Sequence, residues 1–283
     1  MKIALIVNSD KQGAFDTTVK IAEFLQSLGV NILMLKDNLS ESIHNVLLYV
    51  THDDLVKNCD VVLTIGGDGT IIHSAKYAAS YSKPVLGINL GRLGYVAELE
   101  TDEISMLSQL VNGNFETESR SVLKVSVKSS DGKQCEYTAI NDAVISRGSL
   151  SRIIDLEVQI DGNFASSYRA DGLLVATPTG STAYALSAGG PVISPELKCI
   201  ELVPICPHSL SARSMILSEK SVISIKATSP DGRSYLTIDG QISVELYEND
   251  TVEIRNAPCT LDMIILKKRN FFRLASEKLK EVN

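Results

Sequence analysis

Asp60-Val61-Val62-Leu63-Thr64-Ile65-Gly66-Gly67-Asp68-Gly69-Thr70 is an apolar run that stops at three glycines enclosing one aspartate, and Ile71, Ile72, Ala75, Ala78 and Ala79 then recur at helical spacing. It reads as a strand, a tight turn and a helix start. Glycines let a backbone approach a ligand closely, and the first N–H groups of the next helix lack partners within it. Such N–H groups attract phosphate. A carboxylate in the same turn can orient a hydroxyl, accept its proton or hold magnesium between phosphates; its plainer role is a helix cap. A dinucleotide fingerprint needs a third glycine where Ile72 stands, and a P-loop needs Gly-Lys-Ser/Thr, which the chain lacks.

Around this turn the first hundred residues alternate strands with helices. Residues 2–7 are nearly all apolar, as in a strand buried on both faces. Val19, Ala22, Leu25 and Leu28 mark a helix that Gly29 ends, and residues 30–35 and 84–89 read as further strands. Residues 36–60 read as a polar connection. This is the pattern of a doubly wound α/β unit, which binds ligands at the carboxyl ends of its strands. The glycine turn sits at such an end. Gly87-Ile88-Asn89-Leu90-Gly91-Arg92-Leu93-Gly94-Tyr95 is a second glycine-rich segment after a strand.

Residues 101–113 read as one helix capped by Thr101. From Ser121 the period changes to two: Leu123, Val125 and Val127; Leu156, Val158 and Ile160; Ile223 and Ile225; Val252 and Ile254. Asp131-Gly132, Asp161-Gly162, Asp231-Gly232 and Asp239-Gly240 supply turns between such runs. The fold class expected is therefore an N-terminal doubly wound α/β domain followed by a mainly antiparallel β domain, with a boundary between residues 98 and 120. Phe271, Leu274 and Leu279 mark a terminal helix.

The composition, 44% hydrophobic and 22% charged over 283 residues, is that of a globular protein with room for two cores. No apolar run approaches the length of a membrane span, and Asn8-Ser9-Asp10-Lys11 interrupts the first apolar segment before a signal-peptide core is complete. A net charge of −7 and the lack of a basic run argue against nucleic acid as a partner. An anionic ligand then needs a few local cations. Five cysteines without a Cys-x-x-Cys pair read as reduced thiols in a cytoplasmic protein, with no zinc site.

Within the β half, Leu173-Leu174-Val175-Ala176 runs into Thr177-Pro178-Thr179-Gly180-Ser181-Thr182, a turn dense in hydroxyls and free N–H groups, and then a short helical pattern and Gly189-Gly190. Such a turn suits a phosphate or a sugar; a Ser/Thr loop that caps itself is the bland alternative. Arg169 and Asp171 occupy alternate positions of a presumed strand, on one face. Asn141-Asp142, short polar residues inside a strand pattern, mark either a bulge or a ligand contact.

Together, Gly66-Gly67-Asp68-Gly69-Thr70, Asn141-Asp142, Asp171-Gly172 and Thr177-Pro178-Thr179-Gly180-Ser181-Thr182-Ala183-Tyr184 resemble the NAD kinase family. Gly87-Ile88-Asn89 with Gly94, Pro207-His208-Ser209-Leu210-Ser211 with Arg213, and Asp239-Gly240-Gln241 resemble family segments too. The glycine turn alone is shared with lipid kinases and phosphofructokinases; the Thr177–Tyr184 segment is the specific one. The resemblance implies transfer of the ATP γ-phosphate to the 2′-hydroxyl of the adenosine ribose of NAD, with magnesium or another divalent cation accompanying ATP and no metal-ligand cluster on the protein. It makes Asp68 the proton acceptor, touching the ribose with Gly69, and gives Asn141 and Asp142 the ribose hydroxyls. Thr182, Ala183, Tyr184, Ala185, Leu186 and Ser187 line the adenine side, and Asp171 reaches the nicotinamide end. Arg152, Arg169 and Gln241 complete the pocket, with Arg152 or Arg169 contributed by a neighbouring subunit of a homodimer or homotetramer. His73 stands where relatives often carry a basic residue. The implied domains are 1–98, carrying the glycine turn; 99–268, β-rich and NAD-binding; and 269–283, packing back on the first. An aspartate is a weak base for a sugar hydroxyl, so Asp68 is expected to orient the 2′-hydroxyl and take its proton late.

Overall fold

A computed structural model describes the chain except residues 38, 92–93, 149–152, 230–232, 268–269 and 282–283. It divides into two compact units, Met1–Ser119 with Cys259–Asn283, and Arg120–Pro258.

In the first unit β1 (Lys2–Val7), β2 (Asn31–Leu35), β3 (Val46–Tyr49), β4 (Val61–Gly66) and β5 (Val85–Asn89) run parallel in the order β3-β2-β1-β4-β5. β4 is buried along its whole length, which is why it is apolar except for Thr64, whose hydroxyl donates to Leu86 O at 3.2 Å. Helix α1 (Ala14–Ser27) buries Ala14, Thr18, Ile21, Ala22 and Leu25, one stripe at helical spacing, and Gly29 follows it with φ 78°. The connection at residues 36–60, read as polar, holds two short elements, the apolar strand β3 and α2 (His52–Lys57). Thr51 caps α2 by accepting the Asp54 N–H at 3.1 Å. α3 (Asp68–Ser80) starts in the glycine turn.

After β6 (Leu99–Glu100), the helix expected from Thr101 begins later, as a 3₁₀ turn at Ile104–Met106 and then α4 (Leu107–Val111). The Glu103 carboxylate reaches back to accept the Glu100 N–H at 2.9 Å, closing the turn that precedes the helix. β7 (Glu116–Arg120) joins the same sheet. The unit therefore extends through Ser119 rather than stopping at residue 98.

The second unit contains two six-stranded antiparallel sheets. One is built from β8 (Leu123–Lys128), β9 (Gln134–Ala139), β11 (Ile154–Ile160), β12 (Asn163–Ala170), β16 (Ile223–Thr228) and β19 (Thr251–Asn256). The other takes β10 (Asp142–Arg147), β13 (Gly172–Ala176), β14 (Cys199–Ile205), β15 (Met215–Ser218), β17 (Arg233–Ile238) and β18 (Ile242–Tyr247). Alternate residues from both, among them Val125, Leu156, Val158, Ile225 and Ile254 from the first and Ile145, Leu173, Val175 and Leu202 from the second, form one core. The second sheet is also covered on its outer face. There Val144, Leu174, Ala176, Val203 and Ile205 pack with Ala185 of the one-turn helix α5 (Tyr184–Ser187). Double coverage explains why β13 and β14 are buried throughout, and apolar apart from Glu201. The chain passes between sheets from β9 to β10 and from β12 to β13, and the polar residues Asn141-Asp142 and Asp171 stand at these two crossings.

From Cys259 the chain returns to the first unit, adding β20 (Leu261–Ile265) beside β5 and ending in α6 (Phe271–Glu281). The return thus begins with a strand ten residues ahead of the terminal helix. Glu98, 4% exposed, anchors it by accepting the N–H groups of Leu266 and Lys267, each at 2.9 Å, and the Lys267 ammonium pairs with Glu103. Among the described residues no helix is long and apolar enough to cross a membrane. Charge-assisted bonds to buried backbone groups are costly to remove. Glu98→Ala is expected to destabilise the protein by about 2–4 kcal/mol in urea denaturation and to make the chain after β20 sensitive to protease; unchanged stability would show that Glu98 does not anchor the returning chain.

Candidate functional site

The glycine turn lies between β4 and α3, and Asp68 is the first residue of the helix. Its carboxylate does not cap α3. Oδ2 accepts the Tyr95 N–H at 2.7 Å and Oδ1 accepts the Val96 N–H at 3.3 Å, so the second glycine-rich segment is clamped onto the first. Gly94 makes this possible, because a Cβ there would overlap all three atoms of the Asp68 carboxyl group. Each carboxylate oxygen keeps further acceptor capacity, the requirement for receiving a hydroxyl proton. A Cβ on Gly69 would meet nothing within 4 Å, which leaves the outer side of the turn open. Thr70 Oγ1 accepts from Asn8 Nδ2 at 3.3 Å and from the Gly67 N–H at 3.4 Å, fixing the turn from beneath.

His73, one turn further along α3, packs edge-on against His52 and Tyr77, with ring centroids 5.5 and 5.8 Å away. Burial first, and then Lys76 and His52, hold its pKa below the ordinary value. A lowered pKa favours the neutral imidazole over the cation.

In the second unit the segment after β13 is folded by its own hydroxyls. Thr177 Oγ1 donates to Ile140 O at 2.6 Å and accepts the Gly180 N–H at 3.1 Å. Ser181 Oγ donates to Pro178 O at 2.7 Å and accepts the Ile193 N–H at 3.0 Å, while Thr182 Oγ1 donates to Thr179 O at 3.2 Å. These groups shape the loop. Gly180 presses directly on the Asn141 peptide, where a Cβ would lie 2.6 Å from the carbonyl carbon. Asn141-Asp142 and the Thr177–Thr182 turn are thereby joined, since Thr177 N–H also donates to Asn141 O at 2.9 Å.

Asp239 completes this group. Its carboxylate accepts three consecutive N–H groups, from Ile140 at 2.9 Å, Asn141 at 2.7 Å and Asp142 at 3.1 Å. Asp142 is 5% exposed, and burial, followed by the charge of Asp239, pushes its carboxyl up to about 7. Asn141 Oδ1 is buried and has no hydrogen-bond partner among the described residues. A buried amide oxygen beside a buried carboxyl group suits the two hydroxyls of a vicinal diol, which each donate one hydrogen bond.

The remaining predicted residues are more dispersed. Ala183, Tyr184, Ala185, Leu186 and Ser187 surround or form α5; Ala185 is in the core, while Tyr184 and Ser187 are exposed. Arg169 is exposed near the end of β12, whereas Asp171 lies past the sheet crossing, so the two do not share a strand face. Asp171 Oδ1 instead binds Arg147 Nε at 2.8 Å. Gln241 is an exposed residue of the β17–β18 hairpin, whose Asp239 and Gly240 take φ of 49° and 66°. Arg152 lies outside the described residues. Sequence reasoning missed the tie between Gly94 and Asp68, the triple bond of Asp239 and the partnership of Arg147.

The ATP-NAD kinase N-terminal domain matches residues 3–115 and the ATP-NAD kinase C-terminal domain matches residues 140–266. The chain belongs to the ATP-NAD kinase family. The NAD kinase of Citrifermentans bemidjiense is 35% identical over 99% of this chain and 98% of its own length, and that of Geobacter sulfurreducens is 40% identical over 82% of each. Among solved structures, yeast NADH kinase complexed with NADH superposes with a TM-score of 0.91 at 26% identity, covering all of this chain and 88% of that one. An NAD kinase from Archaeoglobus fulgidus in complex with ATP gives 0.78 at 26% identity over the full length of both. Both glycine-rich segments lie inside the N-terminal match, and Asn141, Asp142, the Thr177–Ser187 segment and Gln241 lie inside the C-terminal one.

Glu201 in β14 adds a feature of its own. It is fully buried, neither carboxyl oxygen has a hydrogen-bond partner among the described residues, and Gly190 closes over Oε1. Burial pushes it up from 4.5 to about 7. A raised carboxyl pKa means that the folded chain keeps its proton where the unfolded chain has lost it, so stability falls as pH rises from about 4.5 to about 7 and then levels off. Glu201→Gln removes that fall: relative to wild type, the variant is expected to gain up to about 3 kcal/mol between pH 4 and pH 8 in chemical denaturation. A wild-type-minus-variant difference independent of pH would show that Glu201 titrates normally.

Proposed function

We propose that the chain transfers the γ-phosphoryl group of ATP to the 2′-hydroxyl of the adenosine ribose of NAD, forming NADP. The observation that carries the reading is the Asp68 carboxylate, fixed by two backbone N–H groups at the start of α3 in a chain of the ATP-NAD kinase family. Phosphoryl transfer passes through a loose transition state in which little covalent work falls to the protein, so position and charge decide the rate. Asp68 orients the hydroxyl and takes its proton late, and Gly69 leaves room for the ribose. Asn141 and Asp142 bind the ribose hydroxyls, Thr182 to Ser187 line the adenine, and Asp171, held by Arg147, faces the nicotinamide end. Arg152, Arg169 and Gln241 complete the pocket in a homo-oligomer.

Among the described residues no group of three or more His, Cys, Asp or Glu side chains has metal-holding geometry. Magnesium is ordinarily bound through phosphate oxygens and water with few protein ligands, so a divalent cation fits here as a companion of ATP that neutralises phosphate charge. Purified protein given NAD, ATP and magnesium is expected to form NADP, with Asp68→Ala losing about 100-fold or more in kcat/KM. Wild-type protein that binds both nucleotides without making NADP would refute the assignment; an undiminished Asp68→Ala would refute the role of the carboxylate.

A further inference from the structure

The parallel sheet reverses its order between β1 and β4, and open α/β sheets bind ligands outside the carboxyl ends of their strands at such a point. Two loops leave those ends. One is the glycine turn after β4; the other is residues 8–13 after β1. The second is tied against the first, with the Asn8 N–H donating to Ile65 O at 2.9 Å and Asn8 Nδ2 donating to Thr70 Oγ1 at 3.3 Å. The Lys11 N–H donates to Asn8 O at 3.2 Å, and the Ala14 N–H donates to Lys11 O at 3.1 Å, so the loop is folded on itself at the lysine.

Lys11 reaches back over the turn. A Cβ built on Gly67 would lie 2.6 Å from Lys11 Nζ and 3.6 Å from its Cε, so the ammonium occupies the space above the Gly67 backbone. No carboxylate among the described residues forms an ion pair with Lys11. The carboxylate nearest in sequence to Gly67, that of Asp68, accepts the Tyr95 and Val96 N–H groups. In a chain of net charge −7, an anionic ligand at this turn needs a local cation.

We infer that Lys11 binds the polyphosphate of ATP, placing its ammonium against phosphoryl oxygens seated on the glycine turn. The inference rests on the NAD kinase reading and adds to it the cation on the donor nucleotide. Lysine acts on phosphate as a movable point charge, so much of the effect survives in arginine and none in a neutral side chain.

The test is calorimetric binding of ATP and of NAD to wild type, Lys11→Ala and Lys11→Arg, with steady-state kinetics alongside and circular dichroism to confirm folding. Lys11→Ala is expected to weaken ATP binding about tenfold or more, to leave NAD binding within about twofold, and to lose most of the salt dependence of ATP affinity. Lys11→Arg restores most of the loss. Unchanged ATP affinity in folded Lys11→Ala, or equal losses for ATP and NAD, overturns the inference. Failure of wild type to form NADP would count against the assigned reaction, while the ATP-binding comparison would still decide the role of Lys11.

Discussion

The bonds from Tyr95 and Val96 to the Asp68 carboxylate are the contact on which the first unit's site depends. They exist because Gly94 has no side chain: any Cβ there occupies the place of the carboxyl group. One missing methyl group therefore ties the loop after β5 to the turn after β4. The carboxylate is thereby held in place by the fold itself, and a group already held in place loses little entropy on making a further contact.

The second unit solves a different problem. The polar residues Asn141-Asp142 and Asp171 stand where the chain leaves one sheet for the other, and such crossings break the ladder that would otherwise satisfy the backbone. Asp239 repairs one of them by accepting three consecutive N–H groups, and Thr177 repairs the facing carbonyl. With the backbone satisfied, the Asn141 side-chain oxygen and the Asp142 carboxyl remain as buried acceptors. The cost of burying them appears in the raised pKa of Asp142.

Much of this was legible in the sequence where a pattern was local. The strand, turn and helix at residues 60–80 follow from one apolar run and three glycines, and the change of period after Ser121 reports a change from helix-packed to sandwich-packed strands. What escaped was non-local or short. β3 and α2 are too brief to impose a period on residues 36–60, and the helix read from Thr101 begins only at Ile104. Arg169 and Asp171 look like strand neighbours until the chain is seen to change sheets between them. The hydroxyls of Thr177, Ser181 and Thr182 look like ligand donors, yet Ser181 and Thr182 donate within the loop and Thr177 donates to Ile140 O. No sequence period encodes the contact of Gly94 with a carboxylate 26 positions earlier.

Gly94 is expected to act on the reaction through the Asp68 carboxylate that it makes room for. A double-mutant cycle on kcat/KM for NADP formation, with Gly94→Ala, Asp68→Ala and the two combined, tests it most directly. Gly94→Ala alone is expected to lose much of what Asp68→Ala loses, and the double variant to be no worse than Asp68→Ala. Losses that multiply, with each substitution exacting its full effect in the presence of the other, would contradict it.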